Sequence, residues 1–180
     1  YDQPWRGEGS GKTIDYQLLE AVAEEFPSVV SLKYGGPAVY VPMITMIPAF
    51  CDRFAFIDNS LGFCSTVGHI HGSRSFIAGP VLWWPKFELH YWDLLESGKY
   101  AEAERWHARL APYMHFFMGE EFTTGEAYDY YFGASVIKAS LEYVGLKGGP
   151  VRQPFQEMSE GAKSALFKCL DEIGFDGRKV

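Results

Sequence analysis

Cysteine is scarce in this chain. Cys51, Cys64 and Cys169 are its only thiols, widely spaced and without a CxxC pair. An odd number of isolated cysteines builds no disulfide framework, and a reducing cytoplasm is the simplest compartment for such a chain. Long hydrophobic runs are also missing. Nothing approaches the ~18 consecutive apolar residues a membrane helix needs, and no signal-peptide pattern is visible, so neither spanning nor export is expected. Basic residues are in the minority, 16 Lys and Arg against 23 Asp and Glu, for a formal net charge of −7. That balance argues against a nucleic-acid partner, which requires a basic patch. It leaves a small-molecule substrate open, because a local positive pocket can sit in an acidic protein. Internal repeats and low-complexity segments are absent.

What is present is apolar and aromatic. Hydrophobic residues make up 47% of the 180, and aromatics alone 17%. This is enough for a sizeable core, with aromatic surface left over for an interface. The chain opens on Tyr1 with a motif that begins at once, and reads as the later part of a longer polypeptide.

The order of elements is legible from periodicity. Residues 15–26 carry apolar positions at Leu18, Leu19, Val22 and Ala23, a helical stripe broken by Pro27 and Ser28. The run Ser28-Val29-Val30-Ser31-Leu32 predicts a short buried strand, stopped by Gly35-Gly36-Pro37. Residues 38–50, apolar but interrupted by Pro42 and Pro48, predict a poor or kinked helix. Residues 54–57 predict a second strand, 61–70 a helix and 75–78 a third strand. Beyond Pro85 only helical periodicity remains, over 86–97, 100–117, about 133–144 and 159–173, the last with Ser159 as a possible N-cap. Short apolar strands alternating with helices imply an α/β fold with a parallel sheet covered on both faces. Three strands cannot close an eight-stranded barrel, so the sheet is either small and open or continued by strands preceding Tyr1.

Several residues could carry chemistry. Lys33 follows four strand residues, where burial would favour the neutral amine of a Schiff-base nucleophile. The alternative is a lysine just past the strand end with its ammonium in water. Tyr1 and Arg6 sit in the extended segment Tyr-Asp-Gln-Pro-Trp-Arg. A phenol there can relay protons and a guanidinium can grip a carboxylate, unless both are simply solvated. The glycine loop from Gly7 to Thr13 invites a phosphate-loop reading through Lys12 and Thr13. The expected glycine at position 6 is Arg6, so a flexible loop fits better. His69 and His71 lack a carboxylate or cysteine pattern to complete a metal site. The aromatic cluster Trp83, Trp84, Tyr91 and Trp92 suits core or interface.

Taken together, Tyr1-Asp2-Gln3-Pro4-Trp5-Arg6 and Val30-Ser31-Leu32-Lys33 resemble the dihydrodipicolinate synthase / N-acetylneuraminate lyase family. That family carries Tyr-x-x-Pro-x-Arg at its fifth barrel strand and a Schiff-base lysine on its sixth. Residues 54–60 resemble the seventh strand and its turn, and residues 71–85 the eighth. Gly98-Lys99-Tyr100-Ala101-Glu102-Ala103 and the stretch from Ser135 to Pro154 resemble the family's later helices. The resemblance spans nearly the whole chain.

It implies a (β/α)8 TIM barrel of which this chain supplies the later strands. Residues 1–85 would carry the lysine, and 86–180 would form the last barrel helix and a C-terminal helical extension. It further implies a pyruvate-dependent lyase or synthase that joins or splits a keto acid and an aldehyde through an imine on Lys33. Tyr1 would move protons, Arg6 would bind the second substrate, Ile77 would present its carbonyl, and Asn59, Ser60 and Gly79 would lie on the substrate side. No metal or organic cofactor is implied, because the lysine imine is the electron sink. Partners would be a keto acid with an aldehyde or sugar acid, in a homo-oligomer, usually a tetramer. A keto-deoxy sugar acid dehydratase uses the same imine; a nucleotide binder and a non-catalytic barrel relative are alternatives of other classes. The chain departs from the family where an acidic residue usually follows the lysine, here Tyr34, and where a Ser-Gly-Asp-Asp-like turn reads Asp58-Asn59-Ser60-Leu61. The family's threonine pair for the pyruvate carboxylate has no counterpart and is expected upstream of Tyr1.

Overall fold

Asp15 starts the first helix. Its carboxylate accepts the Leu18 N–H at 2.8 Å, which satisfies one of the donors a helix N-terminus leaves unpaired. From there α1 (Tyr16–Glu25) turns Leu19, Val22 and Ala23 inward. A computed structural model describes residues 14–35, 37–78, 82–118, 133–153 and 155–176. The chain divides into two units, Tyr1–Ala78 and Gly79–Val180.

In the first unit, β1 (Ser31–Tyr34), β2 (Ala55–Asp58) and β3 (Ser75–Phe76) form a parallel sheet in the order β1-β2-β3. Two helices make the crossovers, α2 (Pro37–Phe50) and α3 (Ser65–His71). Parallel neighbours need such crossovers because a tight hairpin can only reverse the chain. In α2, Met43, Met46, Ile47 and Phe50 are buried. Their i, i+3, i+4, i+7 spacing makes a single stripe. It packs with Leu19 of α1 and with Leu32, Tyr34, Phe54 and Phe56 of the sheet region. Burying each such side chain contributes roughly 1.5–3 kcal/mol. That gain helps hold a helix together across Pro42 and Pro48, residues that by themselves weaken one.

The first strand is displaced from its expected place. Val29 and Val30 lie before β1 and are exposed, while Lys33 is the third of its four residues and not a residue beyond them. The cause is local. The Val29 N–H turns back to the Phe26 carbonyl, and the Arg53 guanidinium gathers the carbonyls of Phe26 at 3.0 Å and Val29 at 2.7 Å. These bonds hold Val29 in the connection, while the Val30 carbonyl accepts the Ala55 N–H of β2 at 2.9 Å just ahead of the strand. The sheet also departs from burial on both faces. Both β1 and β2 alternate exposed, buried, half-buried, buried, so α1 and α2 cover one face and the other is open among the described residues. The third strand is shorter than its pattern suggests, two residues rather than four.

The regular elements among the second unit's described residues are all helical: α4 (Pro85–Glu96), α5 (Tyr100–His107), a 3-10 turn (Ala108–Leu110), α6 (Ala111–Met118), α7 (Ala134–Tyr143) and α8 (Glu160–Glu172). The periodic stretch 100–117 is thus two helices joined by a tighter turn. Ser159 caps α8 by accepting the Ala162 N–H at 3.2 Å. Trp83, Trp84 and Tyr91 belong to the core, as an aromatic cluster of this size permits. Their polar edges are satisfied: Trp83 Nε1 donates to the Tyr113 hydroxyl at 3.2 Å, and Trp84 Nε1 donates to Asp176 at 2.8 Å. Arg109 stacks 4.4 Å above the Trp106 ring and donates to the carbonyls of Ile173 and Gly174, which end α8. Among the described residues no helix is long and apolar enough to cross a membrane.

Candidate functional site

Strand alternation decides where Lys33 points. Its neighbours Leu32 and Tyr34 are buried against the helices, so Lys33 rises from the opposite, open face and is half-buried there. The parallel register pairs Lys33 with Ile57, and Ile57 with Ser75. These three residues therefore form one row across the open face. Ile77 lies just past β3, where its N–H donates to the Asp58 carbonyl at 2.8 Å and prolongs the ladder.

The carboxyl ends of β1 and β2 carry the polar groups. In parallel sheets flanked by helices this is the end at which ligands bind. The Asn59 N–H donates to the Tyr34 carbonyl at 2.8 Å, which fixes Asn59 directly beside the end of the lysine strand. Gly35 makes room for it. A Cβ at Gly35 would lie 3.1 Å from both Cβ and Nδ2 of Asn59, so the amide side chain rests against the Gly35 backbone.

Behind this edge lies a buried carboxylate. Asp58 is 1% exposed and accepts three hydrogen bonds: the Ser60 N–H at 2.9 Å, the Ser60 hydroxyl at 2.5 Å and the Ser65 hydroxyl at 2.5 Å. Ser60 Oγ in turn accepts the Cys64 N–H at 2.7 Å. One carboxylate thus ties the β2–α3 turn from Ser60 to the first turn of α3. Within it Leu61 takes φ +60° and Gly62 φ +96°. A branched aliphatic residue in the left-handed region is strained, and such strain persists only where surrounding bonds impose it.

Tyr34 is the register partner of Asp58 on the helix-covered face and is 2% exposed. Burial pushes its phenol well above the usual tyrosine range, the Asp58 charge pushes it further, and a hydrogen bond with Ser73 opposes them. Tyr34 is therefore a neutral phenol facing the core and has no part in proton transfer on the open face.

The structure brings Lys33, Asn59, Ser60 and Ile77 to one end of one small sheet. Ser60 is there with its hydroxyl hydrogen committed to Asp58. Tyr1, Arg6 and Gly79, like the loop of Lys12 and Thr13, lie outside the described residues. His69 is buried with its Nε2 2.8 Å from Arg74 Nη1, and the described residues hold no group of three His, Cys, Asp or Glu that could bind a metal. Sequence reasoning passed over Asp58 as a site residue. Its signal is an acid ending an otherwise apolar strand, with serines two and seven residues on. It also passed over Gly35, whose role is visible only once β1 and β2 are paired.

A parallel sheet whose strands alternate with helices, with a lysine on its open face and polar turns at its carboxyl end, defines the class: an α/β fold with a parallel sheet. In fold, this chain is similar to part of the dihydrodipicolinate synthases and of a sugar-acid aldolase. A dihydrodipicolinate synthase from Bacteroides thetaiotaomicron superposes with a TM-score of 0.75 at 15% identity, covering 96% of this chain and 54% of that one. A second dihydrodipicolinate synthase gives 0.67 at 20% identity over 97% and 54%. The Sulfolobus 2-keto-3-deoxygluconate aldolase, in complex with D-KDPG, gives 0.68 at 15% identity over 96% and 52%. The chain therefore spans about half the length of the solved structures it matches, and at these identities the likeness is one of fold. No family model matches the sequence, and no curated protein does.

Proposed function

We propose that this chain is the lysine-bearing part of a pyruvate-dependent class I aldolase, built on a barrel whose remaining strands lie outside the described residues. The observation that carries the reading is the position of Lys33. It stands on the face of a parallel sheet that no described helix covers, in one row with Ile57 and Ser75, near the carboxyl end of its strand. In a closed barrel that face is the interior, and that end holds the catalytic groups. The fold it shares with lyases that act on keto acids supports the same reading.

The chemistry then follows from the amine. Lys33 Nζ adds to the ketone of pyruvate, water leaves, and an iminium forms. The iminium withdraws electrons from the adjacent methyl carbon, which loses a proton to give an enamine. The enamine carbon attacks an aldehyde, or the reverse step releases one, and hydrolysis regenerates the lysine. Tyr1 would carry protons to and from the reacting oxygens, and Arg6 would hold the second substrate by a bidentate contact. Asn59 stands nearest the strand end among the described candidates for the substrate side. No metal or organic cofactor is required, because the iminium itself accepts the electron pair.

The full-length protein is incubated with pyruvate, reduced with borohydride and digested for mass spectrometry. A reduced pyruvate adduct on Lys33 is expected, and Lys33→Ala should abolish it. Absence of an adduct with pyruvate and with other 2-keto acids would sink the reading.

A further inference from the structure

Lys33 and its chemistry belong to the first unit, and the second carries a groove which that chemistry does not use. The groove lies between α4 and the end of α5, has a volume of about 260 Å3 and is lined by His90, Leu94, Glu102, Arg105, Trp106 and Arg109. Leu94 is buried and Trp106 half-buried, so they make its floor, while His90, Glu102 and Arg105 are exposed and make its rim.

Its donors converge from two helices. The chain stays helical from Tyr100 through Leu110, so Arg105 and Arg109 stand one turn apart on one face, a spacing at which like charges repel. No described carboxylate forms an ion pair with either arginine, and Glu102 lies 3.9 Å from Lys99. Arg109 is fixed in place: its guanidinium sits 4.4 Å from the Trp106 ring centre, and Nε and Nη2 donate to the Ile173 and Gly174 carbonyls. Its Nη1 has no hydrogen-bond partner among the described residues. From α4, the His90 ring meets the same Trp106 ring edge-on at 4.4 Å. A basic residue in the last turn of α5 offsets the negative helix end, which accounts for Arg105 alone. It requires neither a guanidinium locked beyond the helix nor a histidine brought to it from α4.

We propose that this groove binds the phosphate group of a small phosphate monoester. Size limits the ligand, because pockets that enclose a whole drug-sized molecule run to roughly 300–1,000 Å3 and this one receives a single head group. Charge sets its sign: two guanidiniums face one carboxylate, and that carboxylate is already beside Lys99. Geometry separates phosphate from carboxylate. A carboxylate has two oxygens in one plane and is satisfied by one guanidinium fork. A phosphate monoester offers three oxygens in three directions, which suits donors arriving from Arg105, Arg109 and His90. The exposed rim leaves the ester's carbon chain in water. The assignment does not depend on the aldolase reading.

The test is calorimetric titration of the full-length protein with inorganic phosphate and with glycerol 3-phosphate, and with malonate as a dicarboxylate of similar charge. Both phosphates should bind saturably and more tightly than malonate. Arg105→Ala should weaken phosphate binding about tenfold or more, the loss expected for a charge-assisted hydrogen bond, and should keep the wild-type urea midpoint because Arg105 is exposed. Glu102→Gln removes the carboxylate from the rim and should tighten binding roughly twofold to fivefold. Lys33→Ala should leave phosphate affinity unchanged. Absence of saturable binding of either phosphate, malonate bound as tightly, or unchanged affinity in Arg105→Ala would each overturn the proposal. Phosphate binding lost in Lys33→Ala would place the anion at the lysine and overturn it too. A lowered urea midpoint with binding lost in Arg105→Ala, and no tightening in Glu102→Gln, would mark a structural role for the arginine and sink the assignment.

Discussion

At the scale of single residues, the approach of Gly68 to Tyr34 is the tightest made by any described glycine of the first unit. A Cβ at Gly68 would lie 2.6 Å from the Tyr34 hydroxyl, and the Tyr34 ring is packed edge-on against Phe56. Gly68 is buried inside α3, where alanine would otherwise be favoured by about 1 kcal/mol. Overpacking costs roughly 1–3 kcal/mol, so the clash outweighs the propensity gain. Gly68→Ala is expected to destabilise the protein by about 1–2 kcal/mol in urea melts. Adding Tyr34→Phe removes the obstructing oxygen, so the double variant should be more stable than Gly68→Ala alone. A double variant no more stable than the single one would show that the hydroxyl is not the obstacle. Neither residue type announces this in the sequence. A glycine in a helix and a tyrosine in a strand become neighbours only when α3 folds back over the sheet.

At the scale of elements, helix ends follow local chemistry closely. Ser159 stands before an amphipathic run and caps α8, and Asp15 does the same for α1. Ser159→Ala leaves the Ala162 N–H unpaired and should cost about 1 kcal/mol, read as a lower urea midpoint with an unchanged slope. The strands are less legible. Valines 29 and 30 have high strand propensity, yet the strand begins at Ser31, and the Val29 carbonyl goes with that of Phe26 to Arg53, from 24 and 27 residues away. Propensity cannot register a contact of that range. The proline-bearing α2 shows the converse: two residues that argue against a helix are outweighed by a buried stripe that only the sheet can supply.

At the scale of the whole molecule, the second unit carries a group that couples stability to pH. Glu88, in the first turn of α4, has both carboxylate oxygens buried with no hydrogen-bond partner among the described residues. Burial raises its pKa from 4.5 to about 8. The folded state therefore holds this proton more tightly than the unfolded state does. Its contribution to stability is fully present below about pH 4.5 and is lost as pH rises through about 8. The loss is at most on the order of 5 kcal/mol, since a tenfold difference in proton affinity between the two states is worth about 1.4 kcal/mol. Urea melts between pH 5 and 9 should show wild-type stability falling relative to Glu88→Gln, whose amide does not ionise. A constant difference between the two across that range would disprove the coupling. The sequence by itself determined the alternation of short apolar strands with helices, the helical second unit and the candidate lysine, because these are written in local periodicity, caps and motif spacing. Tertiary structure alone decided that Lys33 lies within its strand on the open face, that Asn59 rests on Gly35, and that Asp58 binds Ser60 and Ser65. The physical reason is that each of these depends on strand register and on hydrogen bonds that form only when separate elements meet.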